Sequence, residues 1–204
     1  MNESVSQHYL ADSLSLFRTY KQLAEKALAQ LQDDEYFVQI DAESNSVAII
    51  MKHLAGNMIS RWTDFLTSDG EKPTRNRDLE FVIEKETSRA EIHDYWERGW
   101  KCVFEALEPL TEADFDRTVP IRGQPHTIVQ AINRQLTHYA YHVGQIVFLA
   151  KHFRSADWRS LSIPRNRSAE FNAHLTEHRG TTRAEDRFKE VDNFAREVEK
   201  RSRQ

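Results

Sequence analysis

Nine histidines are spread along the 204-residue chain, and two of them, His138 and His142, stand four residues apart. On a helix, residues four apart lie one turn above each other on the same face. Two imidazoles so placed can reach one metal ion, which needs at least one more protein ligand to be held well. A coordination position left open would then permit chemistry. Tyr139 follows His138, so the pair lacks the glutamate of the HExxH zinc-protease signature, and that chemistry is rejected. Histidine pairs at this spacing also arise by chance. The alternative reading is two partly exposed histidines near the edge of a core.

The pair needs a helix to position it, and the sequence predicts one from about Thr127 to Phe153. Thr127 and Gln130 form a weak capping box just after Pro125. At roughly 100° per residue, Ile128, Val129, Ile132, Leu136, Tyr139, Val143, Val147 and Ala150 fall in one arc. Gln135, His138 and His142 lie along a border of that arc, where ligands facing a bundle cavity should sit.

Three further helices are expected. One runs from about Val5 to Leu31, with Leu10, Leu14, Phe17, Leu28 and Leu31 on its apolar face. The next runs from about Ser46 to Thr67, with Val47, Ile50, Met51, Leu54, Met58, Trp62 and Phe65 as its stripe. The third follows a capping box at Ser88 and Glu91 and carries Ile92, Trp96, Val103 and Leu107. Residues Val119 to Gln124 are read as an extended or turn segment containing Pro120 and Gly123. Trp158 to Asn172 looks irregular, and Thr182 to Lys200 looks like a charged final helix with Phe188, Val191, Ala195 and Val198 on one side. Basic and acidic residues nearly balance between Arg179 and Arg203, so this helix is read as solvated rather than as a nucleic-acid tail. The fold class is all-α: a four-helix bundle over residues 1–155, with a helical extension over 156–204 packed on the bundle or on a dimer partner.

Composition narrows the function. Apolar residues make up 39% and charged residues 29%, which is globular rather than disordered. The formal charge of -4 gives no general attraction to nucleic acid or an anionic membrane. Cys102 is the one cysteine, so no intramolecular disulfide is possible and a reducing compartment is expected. Met1 to Tyr9 lacks a signal-peptide pattern, and the apolar run Val47 to Met51 is too short for a membrane span. The expectation is a cytoplasmic protein.

Other residues are weighed with their neighbours. His53 lies away from the centre of its helix's stripe, beside Ile49, Asn57 and Ser60. Periodicity would make it exposed or part of a second contact face. Arg61 and Arg134 read as surface arginines paired with Asp64 or a glutamate. Their second reading is binding of an anionic substrate or a cofactor carboxylate. Tyr139 and Tyr141 read as packing aromatics, Gly144 as a close helix approach, Cys102 as a buried structural thiol, and His126 as a capping-region residue or a neighbour of the site.

The stretch from Ser46 to Pro73 (SVAIIMKHLAGNMISRWTDFLTSDGEKP) and that from Arg134 to His152 (RQLTHYAYHVGQIVFLAKH) resemble the DinB superfamily. More closely, they resemble a subfamily of unknown function. The resemblance covers about Tyr9 to His152, and Trp158 to Ser168 (WRSLSIPRNRS) is also typical of that subfamily. It implies a four-helix bundle holding a divalent metal through His53 on the second helix and His138 and His142 on the fourth. Zinc or nickel suits three imidazoles, with iron or manganese as alternatives. Asn57 and Gln145 are the candidates to fix the ring orientations. The resemblance further implies a thiol S-transferase-like enzyme acting on a small electrophile, with a low-molecular-weight thiol as a candidate cosubstrate, and a homodimer. The alternatives are a hydrolase using metal-bound hydroxide and a non-catalytic, stress-linked metal-binding protein.

Overall fold

The computed structural model describes residues 4–177 and 187–202. Four long helices form a bundle: α1 (Val5–Leu28), α2 (Val47–Trp62), α3 (Arg89–Leu107) and α4 (Ile128–Arg154). Among the described residues the fold is all-α apart from one short hairpin, β1 (Thr118–Ile121) and β2 (Gln124–Thr127). Among the described residues, no helix is long and apolar enough to cross a membrane.

Each helix starts where a side chain can satisfy its first free N–H groups. Ser4, Ser88 and Thr127 close full capping boxes with Gln7, Glu91 and Gln130, while Ser46 caps α2 through the Ile49 N–H. The helices pack mainly as two pairs, α1 on α4 and α2 on α3. Gly99 allows the second pair to approach closely, since a Cβ there would lie 2.9 Å from the Cα of Ala55. The core between the pairs is aromatic. Phe17, Trp62, Trp100 and Tyr139 meet edge to face or tilted, and the Trp62 Nε1–H donates to the Tyr139 hydroxyl at 2.9 Å.

Fourteen of the 16 residues of α2 are buried, His53 among them, so this helix has no solvent face to speak of. Of the two expectations for His53, exposure is overturned and a second contact face holds: the residue is 5% exposed. The buried face of α4 is also turned relative to the predicted arc. Ala131, Gln135, Ile146 and Leu149 are buried while Val129 is exposed, which brings the face round toward the histidines. Gly144 meets nothing within 4 Å where a Cβ would stand, so it is not a close-approach residue.

The segment around Pro120 and Gly123 is a paired hairpin rather than a lone turn. Ile121 faces Gln124 across the two-residue turn Arg122-Gly123, and both turn residues have positive φ, 55° and 74°. That is the geometry in which turn and strand twist agree. Pro120 and Pro125 pair directly opposite each other, tolerated because each strand has a free edge. The Asp69 carboxylate accepts the backbone N–H groups of Arg122 and Gly123 at 2.8 and 2.7 Å, tying the hairpin tip to the loop after α2.

Beyond α4 the chain crosses the end of α1, where Gln30 bonds the backbone of Arg159 through both its amide atoms. Two helices follow, α5 (Ser168–Glu177) and α6 (Arg187–Ser202). The predicted irregular segment thus becomes helical from Ser168. Residues 182–186 of the predicted final helix, and the side chain of Phe188, lie outside the described residues. Phe194 of α6 is buried against Phe171 of α5, and Asp192 pairs with Lys26 of α1 at 2.7 Å.

Candidate metal centre

His53, Asn57 and Arg61 follow at four-residue intervals along α2, so they form one stripe. Gln135, His138 and His142 form the facing stripe on α4. The helices run antiparallel here, since His53 meets His138 and His142 while Arg61 lies near Arg134. One donor atom from each of the three histidines lies within 4.8 Å of the others, and no further histidine, cysteine, aspartate or glutamate among the described residues joins the group. The Nε2 atoms of His53 and His138 are 3.3 Å apart. A tetrahedral ion with bonds of about 2.0–2.1 Å to imidazole spaces its donors about 3.3–3.4 Å apart.

Two of the rings are fixed from behind. His53 Nδ1 lies 2.8 Å from Glu80 Oε2, which makes it the N–H donor to a carboxylate and leaves the Nε2 lone pair facing the other histidines. His142 Nδ1 lies 2.7 Å from Gln145 Oε1, which has the same effect through an amide oxygen. Asn57 does not orient His53. Its Oδ1 instead accepts from the Tyr139 hydroxyl at 3.4 Å, in the core.

Glu80 is the residue the sequence did not single out. It sits on a 3-10 turn, Asp78–Phe81, in the loop between α2 and α3, and is 5% exposed. A buried carboxylate must be paired, and Arg75 grips both its oxygens through Nε and Nη2, at 2.7 and 2.8 Å. Gly56 makes room for it, because a Cβ at that position would overlap Glu80 Oε1. The next residue, Phe81, lays its ring against that of His53 with centroids 4.9 Å apart. A glutamate in a polar loop carries no periodic signal. The one hint in the sequence is a glycine three residues after His53, in the middle of a helix.

The electrostatics keep the imidazoles ready to act as ligands. Burial pushes His138 down to about 3, and the neighbouring His142 and His53 push in the same direction. Burial takes His142 to about 4, with the Gln145 hydrogen bond opposing and His53 adding to the shift. Both rings are thus neutral at pH 7, as metal ligation requires. Burial alone would raise the Glu80 carboxyl, but hydrogen bonds from His53 and Arg75 and the arginine's charge hold it below the usual carboxylate range.

The group opens into a pocket of about 400 Å³ between α2, α4, the loop at Arg75–Arg77 and the hairpin tip. Arg61 is not on the surface, as the sequence suggested: it is 3% exposed, and its nearest carboxylate, Glu71, is 3.8 Å from Nη2. Arg134 is exposed and lines the same pocket. Tyr139 is fully buried, while Tyr141 is 64% exposed at the rim. His126 lies on β2 with its Nδ1 2.9 Å from the Gln124 carbonyl, and Cys102 stands beside Thr63 on another face; neither joins the histidine group.

Fold and site together define a class: a helical bundle that brings three imidazoles from two helices together beside a pocket. The chain belongs to the family described as Protein of unknown function (DUF1572), whose profile matches residues 4–167. No curated protein and no solved structure matches it.

Proposed function

We propose that this protein is a metal-dependent enzyme of the DinB superfamily, holding one divalent ion through His53, His138 and His142 and transferring a thiol to a small electrophile. The observation that carries the reading is the convergence of three ring nitrogens, two of them from rings whose other N–H is already engaged. The donor set fits zinc or nickel, the metals suited to three imidazoles. When bound, such an ion acts as a Lewis acid that lowers the pKa of a thiol at its open position, giving a nucleophile at neutral pH. Glu80 and Gln145 hold the rings in register, and Arg75 keeps Glu80 ionised in a buried place. The pocket gives the electrophile access from one side, and the core aromatics close the other.

The hydrolytic alternative needs a free carboxylate near the reacting group as general base. None of the residues lining the pocket is an aspartate or glutamate, and Glu80 is committed to His53 and Arg75. A purely structural ion is normally closed by four protein ligands, and only three gather here among the described residues. Both observations favour the transferase.

The test starts with elemental analysis of protein purified without a His tag, beside a His138→Ala variant. Stoichiometric metal in the first and its loss in the second is the expected result. The loaded protein is then assayed with a panel of thiols and a model electrophile. Metal without turnover by any thiol would defeat the transferase reading, and wild-type protein that retains no metal would defeat the whole proposal.

A further inference from the structure

The pocket wall is far more basic than the chain as a whole. Arg61, Arg75, Arg77, Arg122 and Arg134 line it without any acidic residue, although the protein carries a formal charge of -4. Three of these arginines have carboxylate partners: Arg75 with Glu80 and Glu71, Arg122 with Glu71 at 3.4 Å, and Arg61, more distantly, with Glu71. Glu71 is therefore shared by three guanidinium groups, and Arg61 is the farthest of them at 3.8 Å. Arg77 and Arg134 have no carboxylate partner among the described residues.

Arg61 is the informative one. Its side chain is 4% exposed, and its Nε and Nη1 are buried without a hydrogen-bond partner. Buried donors are nearly always satisfied, and a buried charge is normally paired. Gly70 creates the place for this guanidinium: a Cβ there would lie 2.5 Å from Arg61 Nη1. Burial pushes Arg61 below the usual arginine range, and the like charges of Arg134 and Arg75 push it further, against the pull of Tyr139 and Glu71. A negative charge in the pocket would relieve all of this at once.

Position adds the second half of the argument. Arg61 lies two helical turns from His53 along one stripe, and Arg134 lies one turn from His138 along the facing stripe. At about 5.4 Å per turn, the arginines stand roughly 5–11 Å along the groove from the histidines. A pocket of about 400 Å³ matches a small organic molecule. We propose that the pocket binds a small organic substrate by its oxyanion, a carboxylate or a phosphate, with Arg61 and Arg134 as the anchor and the histidine group at the reacting end. The assignment of the reacting end rests on the metal reading above; the anion contact does not.

The experiment titrates succinate, inorganic phosphate and neutral succinamide into metal-free and zinc-loaded protein by calorimetry, with metal content measured on the same samples. Succinate or phosphate binds in both forms and succinamide in neither; the tighter of the two anions identifies the headgroup. Arg134→Gln, at an exposed position, weakens anion binding about tenfold or more, the worth of a charge-assisted hydrogen bond. Gly70→Ala displaces the Arg61 guanidinium without removing a charge and weakens it as well, so the case does not depend on a buried-arginine variant folding. Metal content is unchanged in both variants. Equal binding of succinamide, or unaltered anion affinity in both variants, overturns the inference. Metal retention with no anion binding sinks this inference alone, and anion binding with no metal sinks the proposed function alone.

Discussion

His53 has two ring nitrogens with different tasks. Nδ1 is held 2.8 Å from a buried carboxylate, which leaves Nε2 to face its partners. Such an outer hydrogen bond sets the tautomer and raises the basicity of the ligand. Glu80→Gln keeps the shape of the side chain and removes its charge; metal affinity should fall about 10–100-fold, measured by competition with a chromogenic chelator. Gly56→Ala should weaken metal binding in the same assay, because its methyl group displaces the Glu80 carboxylate even though alanine favours the helix. A metal affinity unaltered in both variants would show that Glu80 does not support the ring. At this scale the sequence was half legible. The i, i+4 pair on α4 is a periodic signal that any helix makes visible. His53 is not, because α2 is buried nearly all round and no polar face marks which way a side chain points. Glu80 reaches the ring from a loop, by a contact spanning 27 residues that no local pattern encodes.

The elements were more legible than their contacts. Long apolar stripes and side-chain caps place the starts of α1 to α4, because burial and capping are both local in sequence, but α2 ends at Trp62, short of the expected Thr67 and leaving Phe65 outside the helix. The hairpin was missed because prolines in both strands suppress the strand signal, and its pairing depends on Asp69, far away in the chain. Two glycines contrast packing with propensity. Gly144→Ala on α4 points into open space, so it should stabilise by about 0.5–1 kcal/mol in urea melts. Gly99→Ala drives a methyl group against the backbone of Ala55 and should destabilise by about 1–3 kcal/mol. A pH effect belongs to the contact between α3 and the turn at Asp34–Tyr36, where His93 Nε2 and the Tyr36 hydroxyl lie 2.9 Å apart. Burial, helped by Arg89, puts His93 below its ordinary value of 6.5. The unfolded chain then binds more protons, so stability falls as pH drops below about 6.5 and is flat in this respect above it. The slope of urea midpoint against pH should shrink in His93→Gln; an unchanged slope would remove His93 as its source.

For the whole molecule, the histidine group joins helices that are remote in the chain, with His53 and His138 separated by 85 residues. An ion held there would add stability by mass action, about 4 kcal/mol at a free concentration 1,000-fold above its Kd. For a chain of this size that corresponds to roughly 8–16 °C in Tm. Adding a strong chelator should lower the melting temperature of the wild type and leave that of His138→Ala unmoved; equal responses would place any metal elsewhere. The C-terminal helices lie against α1 rather than against the histidines, through Asp192 and Lys26, so this shift should not depend on them.

The loop between α2 and α3 contributes Arg75, Arg77, Glu80 and Phe81 to the site, the hairpin turn adds Arg122, and α2 and α4 supply the rest. Part of the pocket wall can therefore be rewritten in one long connection while the bundle's interior is held by its own packing. A protein engineer could exploit the same separation by grafting such connections between homologous bundles.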